Sequence, residues 1–184
     1  MPVQNLSHIG HQLEGRTLYE RQKNLRASQT FAPAPAIIAA GLQLPVNMGS
    51  LLRLADAVGT SQVIFAGTKS SPAMLIGLRR TASNCDTLVD WKFCPLDEFI
   101  QHAESFQPLI AIELTSESHS LFEVELPNQC AFVIGSERYG IPDALLAHCQ
   151  QAVHIPMYGV NGSMNVTHAL AIALFEWRRQ QNYK

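Results

Sequence analysis

The chain has 184 residues, 47% of them hydrophobic and 15% charged, which suffices for one core of ordinary size and is short for two independent ones. No apolar run approaches the roughly 18 residues of a membrane span, and the opening MPVQNLSHIGHQ has no charged-then-apolar leader pattern, so a cytoplasmic protein without membrane attachment is expected. Four dispersed cysteines and seven dispersed histidines match neither a zinc ribbon nor a redox pair, so reduced, mostly buried cysteines and no metal are expected.

The net charge of −2 argues against indiscriminate binding to a polyanion, but its distribution is uneven. Residues 1–92 hold nine Lys/Arg against five Asp/Glu, whereas residues 93–184 hold four against ten. A polyanion would meet the N-terminal half.

In chain order, residues 1–35 form a polar arm carrying Arg16, Arg21, Lys23 and Arg26, which reads as a helix closed by the linker Phe31-Ala-Pro-Ala-Pro35. Residues 36–184 then alternate short apolar runs with helical patterns. Strands are predicted at 36–41, 62–66, 88–93, 108–114, 131–135 and 152–155, and helices near 49–58, 72–81, 95–105, 142–149 and 164–180. Strands apolar at nearly every position are buried on both faces, so the fold class is α/β: an open, mostly parallel sheet with helices on both faces. Ligands of such sheets bind outside the carboxyl ends of the strands, so the loops there are the places to look for chemistry.

Three of those loops carry unexpected residues. After the first strand, Pro45-Val-Asn47-Met-Gly-Ser-Leu-Leu-Arg53 puts an arginine into an apolar helix, where pairing with Asp56 at i+3 is the alternative to a functional role. After the fifth, Gly135-Ser-Glu137-Arg-Tyr-Gly140-Ile-Pro142 sets a carboxylate between two glycines, a pattern that also suits a plain strand-to-helix turn. After the sixth, Ile155-Pro-Met-Tyr-Gly-Val-Asn-Gly162-Ser163-Met164-Asn165 leads into a helix whose Val166, Leu170, Ala173, Leu174 and Trp177 form one apolar stripe. Ser163 is the expected N-cap of that helix, which leaves Asn165 unexplained one turn in.

In this order, Asn47…Arg53, Gly135-x-Glu137-x-x-Gly140 and IPMYGVNGSMNVTHA resemble the three signature motifs of the SpoU (TrmH-like) RNA 2′-O-methyltransferases of the SPOUT superfamily. The segment Ala111-Ile-Glu-Leu-Thr115 resembles that family's preceding strand and loop. The resemblance covers about residues 36–180. It implies the SPOUT fold, with a C-terminal trefoil knot at about 131–184 that no pattern argument proposes. It also implies S-adenosylmethionine as cofactor, held largely through backbone groups around Leu114, Gly135, Ile155, Ser163 and Met164.

The resemblance further implies a ribose 2′-hydroxyl as methyl acceptor. Arg53 would be the catalytic arginine, as base or as orienting group, Asn47 and Glu137 would position it and its loop, and Ser163 and Asn165 would shape the pocket. A homodimer through the knot region and the C-terminal helix, with Phe175 or Trp177 at its interface, is implied as well. RNA is the expected partner, tRNA before rRNA, gripped by Arg16, Arg21, Lys23 and Arg26. Competing readings are an rRNA 2′-O-methyltransferase, a base-methylating SPOUT enzyme and a catalytically silent RNA-binding homologue.

Overall fold

The computed structural model describes residues 12–28 and 32–182. Residues 1–11, 29 and 30 of the expected arm, Phe31 of the expected linker and residues 183 and 184 of the expected catalytic domain lie outside them. Contacts divide the chain between Ala32 and Pro33. On the near side is one helix, α1 (Gly15–Ser28), on which Arg16, Arg21, Lys23 and Arg26 are all exposed. At about 100° per residue, Arg16, Lys23 and Arg26 share one face, while Arg21 lies some 140° around from Arg16. Arg16 pairs with Glu20 at 2.7 Å, an exposed contact of little energetic weight.

Beyond Pro33 the elements are β1 (Ala36–Ala40), α2 (Pro45–Val58), β2 (Gln62–Ala66), α3 (Pro72–Ala82), β3 (Asp90–Cys94), α4 (Leu96–Gln101), β4 (Leu109–Ile112), β5 (His119–Ser120), β6 (Ala131–Ile134), α5 (Asp143–Leu146), β7 (Gln151–His154) and α6 (Val166–Asn182). The seven strands form one sheet in the order β3-β2-β1-β6-β4-β7-β5, and every pairing in it is parallel. Among the described residues no helix is long and apolar enough to cross a membrane.

The near-continuous apolar strands have the physical basis expected of them. Ile37 and Ala39 of β1 enter one core and Ile38 and Ala40 the other, because successive side chains of a strand point to opposite faces. The first core joins the sheet to α2, α3 and α6 through Met48, Leu51, Leu52, Leu78, Leu170 and Trp177. The second joins it to α4 and α5 through Phe99 and Leu145. Helices therefore cover both faces.

Several expected elements moved. The strand expected at 88–93 begins at Asp90, because a 3-10 turn at Cys85–Thr87 consumes the residues before it. The helix expected at 95–105 splits into α4 and a 3-10 segment, Ala103–Phe106. That expected at 142–149 shortens to α5, and α2 starts at Pro45, the first-turn position that proline favours, instead of residue 49. The two-residue edge strand β5 was not foreseen, since its polar His119 and Ser120 carry no strand pattern.

Order in the sheet positions the site. The chain lays down β1, β2 and β3 outward and then crosses to β4, and the late strand β6 inserts between β1 and β4. The loops leaving β1 and β6 consequently lie side by side where the strand order reverses, the place at which open α/β sheets offer a crevice. Those leaving β6, β4 and β7 follow in neighbouring positions.

Candidate functional site

The loop after β6 is a closed turn. Ser136 N donates to Gly140 O at 3.0 Å, Gly140 N returns to Ser136 O at 3.2 Å, and Tyr139 N donates to Ser136 Oγ at 3.0 Å. A Cβ on Gly135 would lie 1.9 Å from the Gly140 carbonyl carbon, so no other residue fits there. Gly140 has φ +65°, in the left-handed region that glycine enters freely. The turn thrusts Glu137 toward the neighbouring β1 loop.

There the Glu137 carboxylate accepts from Gln43 N at 3.3 Å, Leu44 N at 3.4 Å and Asn47 Nδ2 at 2.7 Å. Leu44 is the N-cap of α2 and its side chain makes no capping bond, so Glu137 supplies the negative charge that the helix start favours. Asn47, 6% exposed, passes the chain onward: its Oδ1 accepts from Asn165 Nδ2 at 3.2 Å. Asn165 Oδ1 in turn accepts from Thr167 N at 2.8 Å and Thr167 Oγ1 at 2.6 Å. Residues 90 and 118 positions apart are thus tied into one polar chain.

This geometry corrects the expected N-cap. Asn165 caps α6: it precedes Val166, binds Thr167 N with its side chain, and its own carbonyl accepts from His168 N and Ala169 N. The asparagine that looked out of place in a helix stands just outside it. Ser163, exposed two residues earlier, caps nothing.

Arg53 is not brought into the polar chain. Six residues beyond Asn47, it lies about 9 Å farther along α2 and about 120° around it. Its side chain is exposed, with no hydrogen bond or ion pair among the described residues. The pairing with Asp56 does not form, and Asp56 Oδ2 instead receives a long contact from Cys85 Sγ at 4.0 Å. Burial raises the Cys85 thiol above its ordinary value, with Asp56 adding to the rise and Arg53 opposing it.

The residues expected at a cofactor lie along three adjacent strand ends: Gly135 after β6, Leu114 after β4 and Ile155 after β7. Gly135 is buried, Ile155 half-buried and Leu114 68% exposed. Met164 is half-buried, and the preceding loop is open, with Tyr158 and Val160 fully exposed. On α6, Trp177 is a core residue, 0% exposed and donating Nε1–H to Pro127 O at 2.8 Å, whereas Phe175 is 54% exposed.

Two neighbours escaped the sequence reading. Thr167 completes the cap of α6. Glu113, at the end of β4, places Oε1 to accept from Leu114 N at 3.0 Å and Oε2 only 2.7 Å from where a Cβ on Gly140 would be. A charge closing an otherwise apolar strand was the available sign of it.

Comparisons with known proteins identify the family. The model of the SpoU rRNA Methylase family matches residues 34–175. The 23S rRNA (guanosine-2′-O-)-methyltransferase RlmB of Neisseria meningitidis is 31% identical over 158 residues, 83% of this chain and 61% of that protein. This chain thus spans about three fifths of that relative's length. The tRNA (guanosine(18)-2′-O)-methyltransferase TARBP1 of Mus musculus is 28% identical over 148 residues, 79% of this chain and 9% of TARBP1. The crystal structure of an AdoMet-bound rRNA methyltransferase from Sinorhizobium meliloti superposes with a TM-score of 0.72 at 23% identity, covering 82% of this chain and 61% of that one, which establishes the shared α/β fold. With 142 consecutive residues matched by the family model and the three motif loops joined by hydrogen bonds, the chain belongs to the SpoU rRNA methylase family.

Proposed function

We propose that this chain is an S-adenosylmethionine-dependent RNA methyltransferase that acts on a ribose 2′-hydroxyl, with tRNA as its substrate. The observation that carries the proposal is the polar chain Glu137–Asn47–Asn165, which fixes all three motif segments against one another at the carboxyl end of the sheet. The similarity to TARBP1 supports tRNA. A 23S rRNA substrate is the second reading, favoured by the 31% identity to RlmB.

The strand ends fit the cofactor. Leu114, Ile155 and Met164 offer apolar surface for its adenosine, and the turn at Gly135 brings backbone close. When bound, S-adenosylmethionine supplies a methyl that is already electrophilic, so the protein's task is to orient the hydroxyl and exclude competitors. Arg53 does the orienting: an exposed guanidinium, without an ion pair among the described residues, presents a rigid fork of donors to the ribose and its phosphate. Asn47 and Glu137 hold the start of the helix that bears it, and Asn165 and Ser163 border the pocket. The exposed cations of α1 grip the RNA backbone, as the appended arm of a catalytic domain beginning near residue 36.

Two further properties belong to this reading. The C-terminal segment from β6 onward threads a loop as a knot. In support, α6 is held by the segment before β6, with Gln180 Nε2 donating to Val124 O and Leu126 N donating to Gln180 Oε1, while Arg178 Nε bonds Val58 O on α2. The protein works as a cytoplasmic homodimer, with Phe175 as the interface aromatic on the helix whose Trp177 is already consumed by the core. Sedimentation of Phe175→Glu as a monomer would agree; an unchanged state would remove Phe175 from the interface.

Nucleoside analysis of tRNA and rRNA from a deletion strain tests the function. One missing 2′-O-methyl mark in tRNA is expected. Its loss from rRNA selects the second reading, and loss of a base methylation overturns both.

A further inference from the structure

Glu113 stands out among the groups the proposed mechanism does not use. It directly follows the central strand of the β6-β4-β7 trio, and its backbone N–H donates to Val153 O at 3.0 Å, which locks it against β7. The side chain is half-buried. Oε1 accepts from Leu114 N, and Oε2 occupies the space beside Gly140, where any larger residue would collide with it at 2.7 Å. No Lys, Arg or His forms an ion pair with it among the described residues. A half-buried carboxylate held in place by a backbone hydrogen bond still lacks a cationic partner there, and a cation brought beside it would be attracted to its charge.

The proposed ligand of these loops has the missing charge. S-adenosylmethionine carries a sulfonium cation, and methyl transfer removes it: as the methyl joins the ribose oxygen, the carbon–sulfur bond breaks, sulfur keeps the electron pair as a neutral thioether, and the hydroxyl proton passes to solvent. Substrate and product cofactor are otherwise nearly the same shape. Apolar contacts and backbone hydrogen bonds cannot tell them apart, whereas a fixed carboxylate can, since a Coulombic term in a partly buried site far exceeds its value in water.

We infer that Glu113 is a specificity-determining residue of the cofactor site, which favours the cationic S-adenosylmethionine over neutral S-adenosylhomocysteine and so promotes release of the spent cofactor. The inference rests on the placement of the cofactor at these strand ends. It also accounts for Gly140 beyond its φ: the glycine leaves the room in which the Glu113 carboxylate sits.

Calorimetry of both ligands with wild-type protein and with Glu113→Gln tests the inference, since Gln keeps the shape and the acceptor for Leu114 N while removing the charge. The ratio of the two affinities is the readout, because a merely structural role would weaken both ligands together. The expected result is a fall of about tenfold in the preference for S-adenosylmethionine, roughly 1.4 kcal/mol, with S-adenosylhomocysteine binding nearly unchanged. Equal weakening of both ligands, or an unchanged ratio, overturns the role of Glu113. Hydrogen exchange on the wild-type protein with S-adenosylhomocysteine separates this from the parent reading. Protection at residues 113–115, 135–140 and 155–165 supports the site, and protection elsewhere overturns the site and the inference with it.

Discussion

The motif residues fall into two sets that are built in opposite ways. Glu137, Asn47 and Asn165 are all hydrogen-bonded, with Glu137 and Asn165 each reaching the segment that carries Asn47 and Asn165 also capping its own helix. Arg53 and the loop at Met157–Ser163 are exposed and make no such bonds among the described residues. The difference separates two duties that a motif alone does not distinguish: polar residues that hold the loops in register, and residues left available for a ligand. Substitutions in the first group should therefore register in stability, and those in the second in turnover.

The largest effect is expected at Arg53. Arg53→Ala should lower methyl transfer by at least about 10²-fold, the scale on which a single charged or hydrogen-bonding transition-state contact acts, while melting temperature and cofactor affinity stay at wild-type values. Single-turnover assays beside calorimetry and thermal unfolding would measure this. A lowered melting temperature would place Arg53 in the first group and break the distinction.

Glu137→Ala comes next, in the opposite sense. It strips the acceptor from a buried Asn47 amide and from two N–H groups at the start of α2, which costs about 1–3 kcal/mol for the buried amide alone. Chemical denaturation should show that loss before any RNA is added. Wild-type stability with abolished turnover would make Glu137 a catalytic group instead.

A smaller and sharper test lies at Asn165, which both caps α6 and bonds Asn47. Asn165→Ala should cost about 1 kcal/mol, the usual value of a cap. Asn165→Ser can keep the cap but is too short to keep the link, so it should recover most of the stability while turnover stays depressed. Equal stability losses in both variants would show that the link to Asn47, and not the cap, stabilises the helix.

The smallest expected effect is on the acid limb of stability. Hydrogen bonds from Arg179 hold the buried Glu176 carboxyl below its ordinary range, with Gln180 contributing and burial opposing. A depressed folded value means the unfolded state binds the proton more readily there, so the stabilisation is full above the unfolded carboxylate value near pH ~4.3. It fades as pH falls through the lower folded value. Glu176→Gln should flatten that part of the stability–pH curve and leave neutral-pH turnover alone. An unaltered acid limb would remove Glu176 as its source.

Much of the scaffold was legible because burial on both faces writes itself into a strand: AIIAA and AFVI are apolar at every position and central in the sheet. Polar edge strand β5 is held by its neighbour β7, not by its own residues, and so left no pattern. The site was legible as three motifs, but their roles were not. Asn165 was misread because a cap differs from a first-turn residue only in backbone angles, and Ser163 looked equally suitable two residues earlier. The alternative partner of Arg53, Asp56, was plausible at i+3, yet the 3-10 turn at Cys85 approaches it from outside the helix, a contact 29 residues away. Glu113 required the fold, since its neighbour Gly140 is brought beside it only when β6 pairs with β4.

The central claim is that these strand-end loops serve methyl transfer to a ribose hydroxyl, and the most direct test is chemical. Purified protein incubated with S-adenosylmethionine bearing a labelled methyl and with unmodified tRNA, followed by digestion and mass spectrometry, reads the acceptor atom itself. The account predicts label in one 2′-O-methylated nucleoside, absent with Arg53→Ala. Label on a base, or the same yield from Arg53→Ala, would contradict it.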